Sequence, residues 1–184
     1  MQRDLDKMRR RPFFFPLILP VLLFIAVVAA GVWLFDARAT TVVFVLRHAE
    51  AEPGNDPDPG LSLEGRERAA RLAKMLSQAQ PVRGVDAIFA SEFRRAQQTV
   101  TPLSETLALP VNVAPSATWG ELARRITREH RGEFVVAVGS AATVPQLVRV
   151  LTDAEVNVRD DEYDVVFIAF VPQISKPKVV RLRY

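Results

Sequence analysis

Arg47 and His48 stand side by side directly after the apolar, β-branched run 41–46 (Thr-Val-Val-Phe-Val-Leu). The chain has two histidines, and this one falls at the carboxyl end of what reads as a buried strand. Open α/β sheets place their ligand sites at such ends. A guanidinium grips phosphate oxygens through two parallel hydrogen bonds. A neutral imidazole can attack phosphorus or carry a proton. The pair therefore suits chemistry on phosphate. Arg–His is also a common dipeptide, and alone it reads equally well as a polar step from strand to loop.

The elements that must position the pair alternate along the chain. After the first strand, residues 51–60 (AEPGNDPDPG) hold three prolines and two glycines and read as loop. Ser62 is placed to cap a helix whose apolar face carries Leu72, Ala73 and Leu76. A second strand is predicted over 85–90, then a helix capped by Ser91 that runs to about Ala108, with Pro102 as a point of kinking or splitting. A short strand at 111–113, a helix over 119–130, a strand over 134–139 and a helix over 143–151 follow. Strands over 165–171 and 178–183 flank a proline-containing turn and read as a hairpin. Hydrophobic strands alternating with helices predict an α/β fold of three layers, α/β/α, around a mainly parallel sheet. In such a sheet the ends at Leu46, Ala90 and Gly139 share one edge. Arg47 and His48, then Ser91, Arg94 and Arg95, then Ser140 would converge there.

The first forty residues differ in kind. Residues 1–11 hold five basic and two acidic side chains, and the 23 residues Phe13–Phe35 carry no charge. At about 1.5 Å rise per residue that run spans a bilayer core of roughly 30 Å. The expected organisation is a basic tail at 1–12, a transmembrane signal anchor at 13–35, a linker at 36–40 and a domain at 41–184. The positive tail places the N-terminus in the cytoplasm of a cell membrane and the domain outside it, periplasmic in a bacterium. A cleaved signal sequence, with Ala29-Ala30-Gly31 or Ala37-Arg38-Ala39 as the small-residue cleavage site, is the competing reading. The tail accounts for the whole net charge of +3, so the remainder has no basic excess to recruit nucleic acid. Without cysteine, disulfides and thiolate metal sites are excluded, and no metal-ligand cluster is visible.

Four stretches carry a resemblance. Arg47-His48-Ala49-Glu50 resembles the RHG-type signature of the histidine phosphatase superfamily, and Leu61-Ser62-Leu63-Glu64-Gly65-Arg66 its L-[ST]-x-x-G-x motif. Ser91 with Arg95-Ala96-Gln97-Gln98-Thr99 is similar to S-x-x-x-R-A-x-Q-T, and 136–145 to V-x-V-G-H-S-N-T-V-P. The resemblance covers Val42 to the C-terminus and implies the phosphoglycerate mutase-like fold. It implies a nucleophilic His48 that forms a phosphohistidine, Arg47 and Arg95 as phosphate holders, and no cofactor or metal. Ser91, Ser140 and Glu50 are the accompanying substrate-binding candidates.

One position departs from the pattern. The family's second histidine is Ser140 here, followed by Ala141 and Ala142. Losing one aimed donor costs on the order of 100- to 1000-fold in rate. Two functions follow as expectations: a membrane-anchored phosphatase acting on a phosphorylated small molecule or a surface phosphomonoester, or a weakened relative that binds a phosphorylated ligand or a protein partner. Glu50, Asp56, Asp58 and Glu121 are candidate general acids. Arg94 reads as a solvated helix residue, and His130 as a helix-end residue far from the site.

Overall fold

The computed structural model describes residues 15–78 and 84–184. The contacts divide the chain between Ala37 and Arg38 into two units. The described residues of the first form the helix α1 (Phe15–Arg38), whose last residue falls past the division and which continues through Pro20 without a break. Its stretch Ile18–Asp36 is long and apolar enough to cross a membrane. The basic tail expected at 1–12, and Phe13 and Phe14 of the expected span, lie outside the described residues.

The second unit holds β1 (Thr41–Arg47), α2 (Leu63–Gln78), β2 (Ala87–Ser91), α3 (Arg94–Leu107) and β3 (Val111–Ala114), then α4 (Trp119–Glu129), β4 (Phe134–Gly139), α5 (Thr143–Thr152), β5 (Val165–Val171) and β6 (Lys178–Arg183). The six strands form one sheet in the order β3-β2-β4-β1-β5-β6. The first four are mutually parallel, and β5 and β6 add an antiparallel hairpin beside β1. The sheet is thus mixed, with the parallel majority that the alternation predicts.

Period-two alternation divides the core. Ile88, Val136 and Val138 face α2 and α3, where Leu72, Leu76, Val100 and Leu103 cover them. Phe89, Val135 and Ala137 face α4 and α5, where Trp119, Leu122, Ile126, Val144 and Leu147 cover them. Each buried valine, leucine, isoleucine or phenylalanine among them stabilises the fold by roughly 1.5–3 kcal/mol.

Two local expectations change. Ser91 is the last residue of β2 and caps nothing; α3 starts at Arg94. The Asp58 carboxylate accepts from the Arg94 backbone N–H at 3.0 and 3.2 Å, so a loop anion takes the place at the helix start that a local serine was expected to fill. Pro102 lies within α3, which remains one helix. Ser62 does cap α2, accepting from the Gly65 N–H at 3.1 Å.

Candidate active site

Parallel pairing brings Arg47 level with Gly139, and the His48 N–H donates to the Gly139 carbonyl at 2.8 Å. The turns after β1 and β4 are therefore in direct contact. His48 is buried. Its Nδ1 lies 2.8 Å from the Ala49 carbonyl oxygen. A carbonyl only accepts, so Nδ1 carries the proton and Nε2 keeps its lone pair. That lone pair accepts from the Arg95 Nε–H at 3.1 Å. Burial lowers the His48 pKa most, against the opposing Ala49 hydrogen bond. The Arg47 and Arg95 charges push the same way as burial, and the group falls from 6.5 to about 4. The imidazole is neutral at pH 7, with its free nitrogen turned toward a cation.

Arg95 is supplied by the first turn of α3 and braced from below. The Thr99 hydroxyl donates to the Arg95 carbonyl at 2.7 Å and accepts from the Ala49 N–H at 3.0 Å. One buried hydroxyl thus links the turn that carries His48 to the helix that carries Arg95. Gln98, one residue earlier, accepts from the Leu61 N–H at 2.7 Å and fixes the end of the 51–60 loop. Gly65 completes the support: a Cβ there would overlap the Glu50 carbonyl oxygen, so α2 packs against the His48 turn only without a side chain.

Arg47 points toward β5. It donates to the Arg159 carbonyl at 2.9 Å and to the Tyr163 hydroxyl at 3.4 Å, and its guanidinium carbon lies 4.3 Å over the Tyr163 ring. Its Nε and the Ser91 Oγ are buried and have no hydrogen-bond partner. Both groups can donate a proton at the sheet edge that holds His48, and a buried donor left unpaired is costly unless something supplies an acceptor. An anion with several oxygens fits that need.

The other candidates lie as follows. Glu50 is engaged by Arg68, whose Nε donates to both carboxylate oxygens at 2.7 and 2.9 Å. Burial works to raise the Glu50 pKa, and the Arg68 bonds and charge outweigh it, holding the group below its ordinary value. Glu50 lines a pocket of ≈ 580 Å³ with Arg68, Arg159, Tyr163, Arg183 and Tyr184. The Ser140 Oγ is turned back onto Thr143, 3.3 Å from both its N and its Oγ1. Asp56 pairs with exposed Arg94 at 3.7 Å, Asp58 caps α3, and Glu121 is exposed on α4. His130 ends α4, where its Nδ1 lies 2.6 Å from Glu133 and its carbonyl accepts from Thr41 at the opposite end of β1. Among the described residues no group of acidic or histidine side chains is arranged to hold a metal ion.

Sequence reasoning passed over Thr99, Tyr163 and Arg159. Thr99 stood in the quoted motif without a role. Tyr163 and Arg159 sit in the irregular segment 153–164, where no periodicity or motif marks them.

A histidine phosphatase superfamily (branch 1) model matches residues 43–122. The solved structures agree with it. The protein histidine phosphatase SixA, complexed with tungstate, is 19% identical with a TM-score of 0.64, covering 77% of this chain and 96% of its own. A mycobacterial glucosyl-3-phosphoglycerate phosphatase is 17% identical with a TM-score of 0.53, covering 71% and 90%. A phosphoserine phosphatase from Entamoeba histolytica, in complex with 3-phosphoglyceric acid, is 12% identical with a TM-score of 0.58, covering 78% and 97%. No curated protein matches the sequence. Residues 43–122 thus match the histidine phosphatase superfamily (branch 1), and the domain after α1 shares the fold of these solved phosphatases.

Proposed function

We propose that this chain is a phosphatase, tethered to a membrane by α1, that hydrolyses a phosphomonoester through a phosphohistidine on His48. The observation that carries the reading is the neutral, buried imidazole. Its Nδ1 proton is fixed on Ala49, and its Nε2 lone pair meets Arg95.

In this reading the phosphoryl group enters beside Nε2. Arg95 transfers its Nε–H from the imidazole to a phosphoryl oxygen, and Arg47 holds others. Nε2 attacks phosphorus as the ester P–O bond breaks. The leaving oxygen takes the bond's electron pair and a proton from water. A second water then attacks phosphorus, the P–N bond breaks, and its electrons return to Nε2, releasing inorganic phosphate. The two guanidinium groups offset the charge that spreads over the equatorial oxygens. The pocket beyond Glu50 has room for the leaving group.

The fold does not choose the substrate, since phosphatases with different named substrates share it. The apolar helix and the basic residues before it support an anchored domain outside the cytoplasm. The competing reading, a ligand-binding relative with little turnover, is favoured by the engagement of the Ser140 hydroxyl with Thr143.

One experiment separates the two. The full chain in detergent micelles is assayed on p-nitrophenyl phosphate and titrated with tungstate. A phosphatase turns over, and His48→Ala loses at least about 1000-fold in rate. Tungstate binding without turnover, together with turnover in Ser140→His, would overturn the phosphatase reading in favour of the binding one.

A further inference from the structure

Tyr163 enters the site from the β5 side, while Arg95 enters from the β2 side. Its ring centroid is 6.2 Å from that of His48. The Tyr163 hydroxyl oxygen accepts from Arg47 at 3.4 Å. A phenol has one proton to give, and among the described residues that proton has no hydrogen-bond acceptor. Ser140, at the turn after β4, makes the opposite use of its hydroxyl, which is held within 3.3 Å of Thr143.

The tyrosine is also held in place from both sides. The neighbouring Glu162 carboxylate, 4% exposed, gathers Arg159 at 3.3 Å, Arg181 at 2.6 Å and Arg183 at 3.1 Å. The Tyr163 carbonyl accepts from the Tyr184 hydroxyl at 3.2 Å. Five side chains thus fix a segment that has no regular secondary structure. A donor fixed before the ligand arrives needs no reorganisation when charge develops.

We infer that Tyr163 is a catalytic residue of this site: its hydroxyl donates a hydrogen bond to an oxygen of the transferring phosphoryl group. The inference rests on the phosphatase reading of His48 and deepens it. Arg47 donates to the phenol oxygen, and the phenol donates onward to the phosphoryl oxygen. The hydroxyl and the guanidinium then act as one chain of polarised donors. No atom is transferred in this role, so the two-step exchange at phosphorus is unchanged.

The test uses the full chain in detergent micelles with tungstate as the probe. Tyr163→Phe keeps the ring that stacks on Arg47 and removes only the hydroxyl. A hydrogen bond to a charged group predicts a loss of about ten-fold or more in tungstate affinity, and a matching loss in turnover of p-nitrophenyl phosphate. The same substitution is made in an Arg47→Lys background. A direct donor still loses affinity there. A hydroxyl that acts only by positioning Arg47 loses nothing further, and that result would overturn the inference. Unchanged affinity and turnover in Tyr163→Phe, with tungstate binding still lost in His48→Ala, overturns the role of Tyr163 and leaves the phosphatase reading standing. Failure of the wild-type chain to bind tungstate overturns both.

Discussion

The turns after β1 and β4 occupy the same sheet edge and touch through one hydrogen bond, from His48 N–H to the Gly139 carbonyl. Their polar side chains do different things. After β1, Arg47 and His48 present a buried unpaired Nε–H and an imidazole lone pair. After β4, Ser140 and Thr143 satisfy one another at the start of α5. The contrast teaches how to read a site from which one expected group is missing. Residues kept for a ligand carry donors that the protein leaves unpaired at some energetic cost. The Ser140 hydroxyl is instead engaged in local hydrogen bonding with Thr143.

The largest way to break the comparison is to displace the β1 turn as a whole. Gly65→Ala places a methyl group against the Glu50 carbonyl, where neither the helix nor the turn has a flexible end to move. The expected cost is about 3 kcal/mol, at the upper end for overpacking. The thermal midpoint should fall by roughly 6–12 °C for a domain of this size. Tungstate affinity should fall with it, because Arg47 and His48 share the displaced turn. An unaltered midpoint would mean that the close approach of α2 does not hold the turn.

The next effect is electrostatic and belongs to His48 alone. Its folded pKa, about 4, lies below the ordinary 6.5. Between those values the unfolded chain binds the proton and the folded one does not, so stability falls as pH drops from about 6.5 to 4. The whole window is worth about 3 kcal/mol. Denaturant unfolding at pH 7 and at pH 4.5 should show this loss in the native chain and a smaller loss in His48→Gln, since carboxylates titrate alike in both. Turnover at limiting substrate should keep its acid limb near pH 4 rather than 6.5. An acid limb near 6.5 would mean that the imidazole is exposed to solvent.

What could be read from the sequence follows the same division. The strands and the α2 cap were legible because period-two burial and a Ser–Gly start are local signals. The convergence of Arg47, His48 and Arg95 was legible because parallel strand ends share an edge. Ser91 misled as a helix cap: the anion at the start of α3, Asp58, comes from a loop more than thirty residues away, and no local pattern marks it. Glu50 was legible as a carboxylate near the site, but its Arg68 partner lies eighteen residues on, on α2. Tyr163 was illegible for the same reason. Its place depends on the Glu162 carboxylate gathering Arg159 with Arg181 and Arg183 of the following strand, a tertiary arrangement with no periodicity of its own.

The smallest effect sharpens the comparison most. Ser140→Ala removes the oxygen that lies 3.3 Å from the Thr143 N–H at the start of α5. A lost cap costs about 1 kcal/mol of stability, and the cost here is smaller because the Thr143 N–H keeps a second acceptor, the Ser140 carbonyl at 3.2 Å. If the hydroxyl serves α5 and not the ligand, tungstate affinity stays within about two-fold while the denaturation midpoint falls. Should Ser140 contact phosphate instead, the ranking reverses: affinity falls by about ten-fold and stability changes little. Measured on the full chain beside Arg95→Ala, which removes a cation at the imidazole, the substitution shows whether the β4 turn still belongs to the site or only closes the helix behind it.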